Sequence, residues 1–150
     1  MARVLLRSSL YEEDYLAWIE QQVALLRAGR TDDLDLGNLI EELEDMGRGE
    51  WRELENRLET LLAHMLKRDY QPEKRSRSWD NTIDEQRRRL ERLFKRSPSL
   101  RRSLADTLAE MYPYAVRKAV RETRMKAASF PAQLPYSVEQ VLREEPPVLD

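Results

Sequence analysis

Apolar residues recur at intervals of three and four along most of this chain, the spacing that places them on one face of an α-helix. The pattern covers residues 9–126 and predicts five to six helices. Residues 127–150 are interrupted by prolines and leave room for one short helix after Ser137. Short connections favour antiparallel neighbouring helices. We therefore expect a single all-α domain over residues 1–150, folded as a compact helical bundle.

Each predicted helix has an apolar face that should be buried. From the first helix to the fifth, these faces contain Tyr11, Tyr15, Trp18 and Val23; Leu36, Leu39, Ile40, Leu43 and Met46; Trp51, Leu54, Leu58, Leu61, Leu62 and Met65; Trp79, Ile83, Leu90, Leu93 and Phe94; and Leu100, Leu104, Leu108, Met111 and Tyr112. Gly29 is placed to end the first helix in a left-handed conformation, and Ser78 to cap the fourth. We expect a kink or break near Gly47-Gly49 and at Pro113.

The composition narrows the class of protein. Hydrophobic residues make up 41% of the chain and charged residues 36%, and four glycines are too few for the many turns of a β-sandwich. Cysteine is absent, so disulfide bridges and thiolate metal sites are excluded. No apolar run approaches the roughly 18 residues of a membrane-spanning helix. We expect a cytoplasmic protein that has no membrane partner.

Charge is distributed unevenly along the chain. Residues 32–59 contain 11 acidic and three basic side chains, whereas residues 67–102 contain 13 basic and six acidic ones. Such neighbouring blocks usually pair with each other or remain solvated, which is the interpretation we favour. Nucleic-acid binding by the basic block is the alternative, and it would use Lys74, Arg75, Arg77, Arg88, Arg89, Arg92, Lys95 and Arg96.

Motifs of well-known active sites are missing, including phosphate-binding glycine loops, nucleophile elbows and zinc-binding histidine pairs. His64 is the only histidine. It would serve either as a general acid or base or as a helix-edge residue with a structural hydrogen bond, and we favour the second. An acidic stripe offers oxygen ligands to a hard cation, although a solvated or paired face is the simpler interpretation. Its members are Asp35, Asn38, Glu42 and Asp45. We predict no catalytic residue, no metal and no cofactor.

Gln86 is the most specific single signal, because it interrupts the apolar stripe between Ile83 and Leu90. An amide on that face needs hydrogen-bond partners from neighbouring helices, or it costs about 1–3 kcal/mol. We therefore predict that Gln86 is largely buried and bonded to another helix, with Glu42, His64 and Arg87 as the nearest candidates.

Several runs of the sequence resemble a known family. They are YEEDYLAWIEQQVALLRAGR, LIEELEDMG, LLAHMLK, YQPEKRSRSWDNTIDEQRR, SPSL and FPAQLPYSVEQVL. In this order they resemble the bacterial domain-of-unknown-function family numbered twenty-nine, over about residues 11–143. The resemblance implies a small all-α cytoplasmic protein and brings no established activity. Leu134 stands where the family often has a cysteine, which argues against a thiol role at that position.

The family motifs coincide with the polar positions singled out above and define a candidate binding site or polar network. Its members are Glu42, His64, Lys67, Gln71, Arg75, Ser78, Trp79, Gln86 and Arg87, with Glu41 and Ser76 beside them. The network would either lock the helices together or form a ligand pocket. We expect a non-catalytic protein-interaction or adaptor module that self-associates or binds another protein. The alternatives are nucleic-acid binding through residues 87–96, and a small-ligand site or enzyme centred on His64.

Overall fold

The computed structural model describes residues 10–142, and within this range the regular structure is entirely helical. Residues 10–13 are helical, and single turns of 3-10 helix lie at Thr31–Asp33, Pro72–Lys74 and Ala127–Ser129. The α-helices that follow residues 10–13 are α1 (Tyr15–Arg27), α2 (Leu36–Tyr70), α3 (Arg77–Arg96), α4 (Ser99–Arg102), α5 (Leu104–Thr123) and α6 (Val138–Leu142). The predicted all-α fold is confirmed.

Residue contacts divide the chain into two compact units that meet in sequence between Arg48 and Gly49. The first unit contains α1 and the beginning of α2, and the second contains the rest of α2 with α3 to α6. The division falls at the glycine pair where a break was expected. The backbone itself is not broken there, because α2 is one helix of 35 residues. Gly47 and Gly49 each lower the stability of the helix by about 1 kcal/mol. The helical turns before and after them therefore compensate for this loss.

The first unit is a helical hairpin. Asp14 caps α1, since its Oδ1 accepts a hydrogen bond from the backbone N–H of Ala17 at 3.0 Å. Trp18 and Gln22 are the buried residues of α1. Gly29 ends the helical region with φ of 70°, as predicted, and this left-handed conformation favours glycine. The chain then turns through the 3-10 segment into α2.

The second unit has a continuous apolar core. The buried parts of α2, α3 and α5 meet there, and the segment after α5 closes it. Phe130 is buried with its ring 5.9 Å from that of Tyr70, and Tyr136 donates a hydrogen bond to Asp69 at 2.7 Å. The core residues include Leu54, Leu58, Leu61, Leu62, Met65, Leu66, Ile83, Leu90, Leu93, Phe94, Leu104, Leu108, Tyr112 and Val141.

Several sequence-based assignments need correction. The predicted core face of the second helix is exposed in the first unit except at Leu39, which is half-buried, and Tyr15, Val23 and Trp51 are exposed as well. Ser76 caps α3 in place of Ser78: its Oγ accepts from the N–H of Trp79, so the helix begins earlier than predicted.

The predicted split at Pro113 does not occur, because α5 continues through it as one helix. Proline removes the hydrogen bond to the carbonyl of Ala109. Both residues lie on the exposed side of α5, so water can bind that carbonyl.

Candidate functional site

Three of the predicted site residues meet around the ammonium group of Lys67, a residue that is 4% exposed. Lys67 Nζ lies 2.6 Å from Oε2 of Glu122 on α5 and 3.4 Å from Nε2 of His64, one turn earlier on α2. It also lies 4.9 Å from the centre of the Trp79 ring on α3. We call these four residues the Lys67 cluster. Glu122 was missed by sequence reasoning, and it supplies the only carboxylate of the cluster.

His64 is held in one tautomer. Its Nδ1 lies 2.8 Å from the carbonyl oxygen of Thr60, which can only accept, so Nδ1 carries the proton. Nε2 is therefore free to accept from the Lys67 ammonium. Burial lowers the pKa of His64, and this outweighs the opposing effect of the Thr60 carbonyl. The imidazole is neutral at pH 7 and both of its nitrogens are engaged.

Among residues 10–142, the ammonium of Lys67 has all of its partners within the Lys67 cluster. Burial raises the pKa of Glu122, but the hydrogen bond and charge of Lys67, with the charge of Lys118, bring it below its usual value. An ammonium group has three N–H donors, and here it faces a carboxylate, an imidazole nitrogen and an aromatic ring. The arrangement joins α2, α3 and α5.

Other predicted site residues lie near the connection between α2 and α3 but make separate contacts. The buried Gln71 closes the last turn of α2 through its backbone N–H. Arg75 binds both carboxylate oxygens of Asp80, at 3.0 and 3.2 Å, on the exposed surface. Ser78 is exposed, and its carbonyl accepts from the hydroxyl of Thr82. These contacts shape the connection between α2 and α3.

Gln86 and Arg87 have partners that differ from those predicted. Gln86 is half-buried and not largely buried as predicted, and its Oε1 accepts a long hydrogen bond of 3.5 Å from Nη1 of Arg57 on α2. The predicted link to another helix is therefore present, although its partner is not one of the three expected side chains. Arg87 donates from Nε to the carbonyl of Val141 at 3.0 Å and from Nη2 to that of Gln140 at 3.2 Å.

Glu42 belongs to the first unit, where its carboxylate accepts hydrogen bonds from the hydroxyls of Tyr11 and Tyr15. The hydrogen bond to Glu42 raises the pKa of Tyr11 to about 12. Asp35 accepts from the Trp18 indole at 3.0 Å. Two carboxylates of the acidic stripe are thus used within the hairpin. Among residues 10–142 no group of three or more acidic or histidine side chains has the geometry to hold a metal ion.

Most basic side chains of α3 form ion pairs with acidic side chains of the same unit. Arg88 and Arg89 both bind Glu85, at 2.9 and 2.6 Å. At the end of the helix, Arg96 contacts Glu50 at 2.7 Å and Glu53 at 3.1 Å. The pairs with Glu85 lie within the basic block, and the pairs of Arg96 join the basic block to the acidic one.

Within the described part of the first unit, residues 10–48, one apolar face of α2 is exposed. Ile40 is 55% exposed and Met46 68%, with the other two members in between. We call this face the exposed seam, and it consists of Leu36, Ile40, Leu43 and Met46. The same spacing continues along α2 through Leu54, Leu58, Leu61 and Met65, which are buried in the core of the second unit. The seam therefore has the pattern of a buried face without being buried.

Across residues 10–142, no helix is both long enough and apolar enough to span a membrane.

Comparison with known proteins identifies the family to which the chain is similar. No curated protein and no solved structure matches the chain. The model of the family described as "Domain of unknown function DUF29" matches residues 10–145, nearly the whole sequence. The chain therefore belongs to the DUF29 family.

Proposed function

We propose that this protein is a non-catalytic helical interaction module whose exposed seam binds an amphipathic helix of a partner protein. One observation carries the proposal: Leu36, Ile40 and Leu43 are exposed on a helix whose same face becomes core further along. Contiguous exposed apolar residues are typical of binding surfaces. An amphipathic helix that presents its own apolar stripe matches the shape of such a face.

The small size of the exposed seam limits the binding free energy that it can contribute alone. Its four side chains are 55–68% exposed, and fully burying one aliphatic side chain contributes about 1.5–3 kcal/mol. Covering the seam would therefore contribute about 4–7 kcal/mol. Association costs about 4–15 kcal/mol in lost freedom of motion, so the seam must be supplemented by contacts at its edges.

The charge of the first unit indicates what those contacts are. Residues 10–48 contain 11 acidic and three basic side chains, and Glu41, Glu44 and Asp45 are exposed beside the seam. A partner helix with lysine or arginine flanking its apolar stripe would be attracted to them. Two copies pairing seam to seam would instead bring like charges together. We therefore propose a basic amphipathic helix of another protein as the occupant.

The remaining functional interpretations have less support. An enzyme centred on His64 needs an available imidazole nitrogen, whereas both nitrogens have partners inside the Lys67 cluster. Nucleic-acid binding needs available cations, whereas Arg88, Arg89 and Arg96 are paired with glutamates. We place the proposed module in the bacterial cytoplasm, on the basis of the family resemblance.

Two synthetic helical peptides test the proposal. Both carry the same leucine stripe, and one has lysines at the flanking positions where the other has glutamates. Titration calorimetry should show binding of the lysine peptide that weakens as salt is raised, and little binding of the glutamate peptide. Leu43→Ser should weaken the lysine peptide by about tenfold, because it removes apolar area from the centre of the seam.

Leu16→Ser is the matched control. Leu16 on α1 is 63% exposed and Leu43 64%, but Leu16 lies outside the seam, so its replacement should leave binding unchanged. An equal loss in both variants would contradict the proposal, as would equal binding of the two peptides. A dimer that Leu43→Ser dissociates would assign the seam to a second copy of the chain and would equally overturn the proposed occupant.

A further inference from the structure

The second unit contains a cleft that the proposed function does not use. It lies beside α3, with α4 and the end of α6 on its other sides, and has a volume of about 640 Å³. Sites for small organic ligands usually occupy about 300–1,000 Å³. The lining residues are Asp84, Arg87, Arg88, Glu91, Phe94, Lys95, Arg101 and Leu142.

Among the described residues that line the cleft, Phe94 and Leu142 are apolar, and the wall around them is held in place. Phe94 belongs to the core and is 8% exposed, and the half-buried Leu142 packs against the same core. The guanidinium of Arg87 is fixed by hydrogen bonds to the carbonyls of Gln140 and Val141, so α3 and α6 keep a defined separation. The surface is therefore already formed before a ligand binds, and binding an apolar group there does not carry the cost of ordering it.

Among the described residues, the rim of the cleft has an excess of positive charge. Four of them are basic, and two, Asp84 and Glu91, are acidic. Arg88 is paired with Glu85, and Lys95 lies 3.6 Å from Glu91. The side chain of Arg101 is exposed, and its guanidinium makes no hydrogen bond or ion pair with any residue in 10–142. The guanidinium of Arg101 can therefore form hydrogen bonds with an acidic group of a ligand.

We propose that this cleft binds a free anionic amphiphile. The apolar chain of the ligand lies against Phe94 and Leu142, and its carboxylate or phosphate group contacts Arg101 at the rim. The apolar surface selects for a hydrocarbon body, and the excess of cations selects for a negative head group. This inference is independent of the seam, because it concerns different residues and a different ligand class.

Titration calorimetry with decanoate, decyl phosphate and decyltrimethylammonium tests the proposal on the full chain. At least one of the two anionic ligands should bind, and the cation with the same chain should not. Each methylene added between octanoate and decanoate should tighten binding by about fourfold, the effect of burying one more methylene. Arg101→Gln should weaken the anion by about fivefold, as expected for one partly screened charge contact.

Arg121→Gln provides the control, since it makes the same change of net charge at an exposed arginine of α5 that does not line the cleft. It should leave the affinity unchanged. Equal losses in the two variants, equal binding of decyltrimethylammonium, or no binding of either anion would overturn the proposal. Binding to anionic phospholipid vesicles without binding to free decanoate or decyl phosphate would overturn it too, because the ligand would then be a membrane surface.

Discussion

Replacing Glu122 by glutamine tests whether the Lys67 cluster stabilises the second unit. The carboxylate of Glu122 lies 2.6 Å from the ammonium of Lys67, a group almost completely removed from water. Glu122→Gln removes the negative charge and leaves a buried cation with His64 and the ring of Trp79 as its partners. Neither of these is charged at pH 7, so the folded state should lose stability.

The size of the loss follows from the surroundings of the pair. Removing one member of a buried ion pair costs about 3–5 kcal/mol. Here the glutamine oxygen can still accept from Lys67, and the side chain of Glu122 is 36% exposed, so water partly screens the charge. We expect the free energy of unfolding to fall by about 2 kcal/mol. The double variant with Lys67→Met should regain most of this, since no buried charge remains.

Urea denaturation followed by circular dichroism measures these changes. Glu110→Gln is the control, because Glu110 is an exposed glutamate on the same helix, and it should change the free energy by less than about 0.5 kcal/mol. A similarly small effect of Glu122→Gln would refute the reasoning. So would a double variant that is no more stable than the single one.

Three further predictions concern stability. Burial lowers the pKa of His64 below its ordinary value of 6.5, so its contribution to stability is complete above that pH and declines as the pH falls through the folded-state pKa. Between pH 7 and 5, His64→Gln should therefore lose stability with falling pH less steeply than the original chain in urea titrations; parallel slopes would contradict this. Gly47→Ala should raise the free energy of unfolding by about 0.5–1 kcal/mol, because a Cβ there meets nothing within 4 Å and α2 is helical at that point; a loss in the same measurement would show closer packing. Gln86→Leu should lower the free energy of unfolding by less than about 1 kcal/mol, since its bond to Arg57 is long and the residue is half-buried. A loss above about 2 kcal/mol would show that Gln86 belongs to a buried network after all.

The fold class and the core of the second unit were predictable because helical periodicity reports directly on a buried face. Leu54, Leu58 and Leu61 follow the spacing of three and four and are fully buried. The continuity of α2 was harder to predict. Local propensity gives the cost of Gly47 and Gly49, but it does not give the stabilisation from the turns on either side.

Periodicity does not report whether an apolar face is covered. Leu36, Ile40 and Leu43 have the same spacing as the buried leucines of the second unit, yet they lie in the solvent. Coverage depends on which element lies opposite, and that is a tertiary property. In the first unit Tyr11, before α1, and Tyr15 and Trp18, on α1, bind Glu42 and Asp35, and these two acidic residues lie on another side of α2 from the seam.

The polar site was predicted where local spacing governs it. His64 and Lys67 are three residues apart on one helix, so their proximity follows from helical geometry. Trp79 comes from the next helix of the chain. Glu122 lies 55 positions after Lys67 and has no distinguishing pattern around it. The available signal was indirect: a lysine on the buried side of a helix needs an acidic partner.

Mapping the bound lysine peptide by NMR chemical-shift perturbation tests the central claim most directly. The backbone amides of residues 36–48 should shift most, and Leu43→Ser should suppress those shifts. Residues 87–96 of the basic helix should change little. Shifts concentrated on residues 87–96 or around His64, with residues 36–48 unaffected, would contradict the claim that this protein binds a partner helix through the exposed seam.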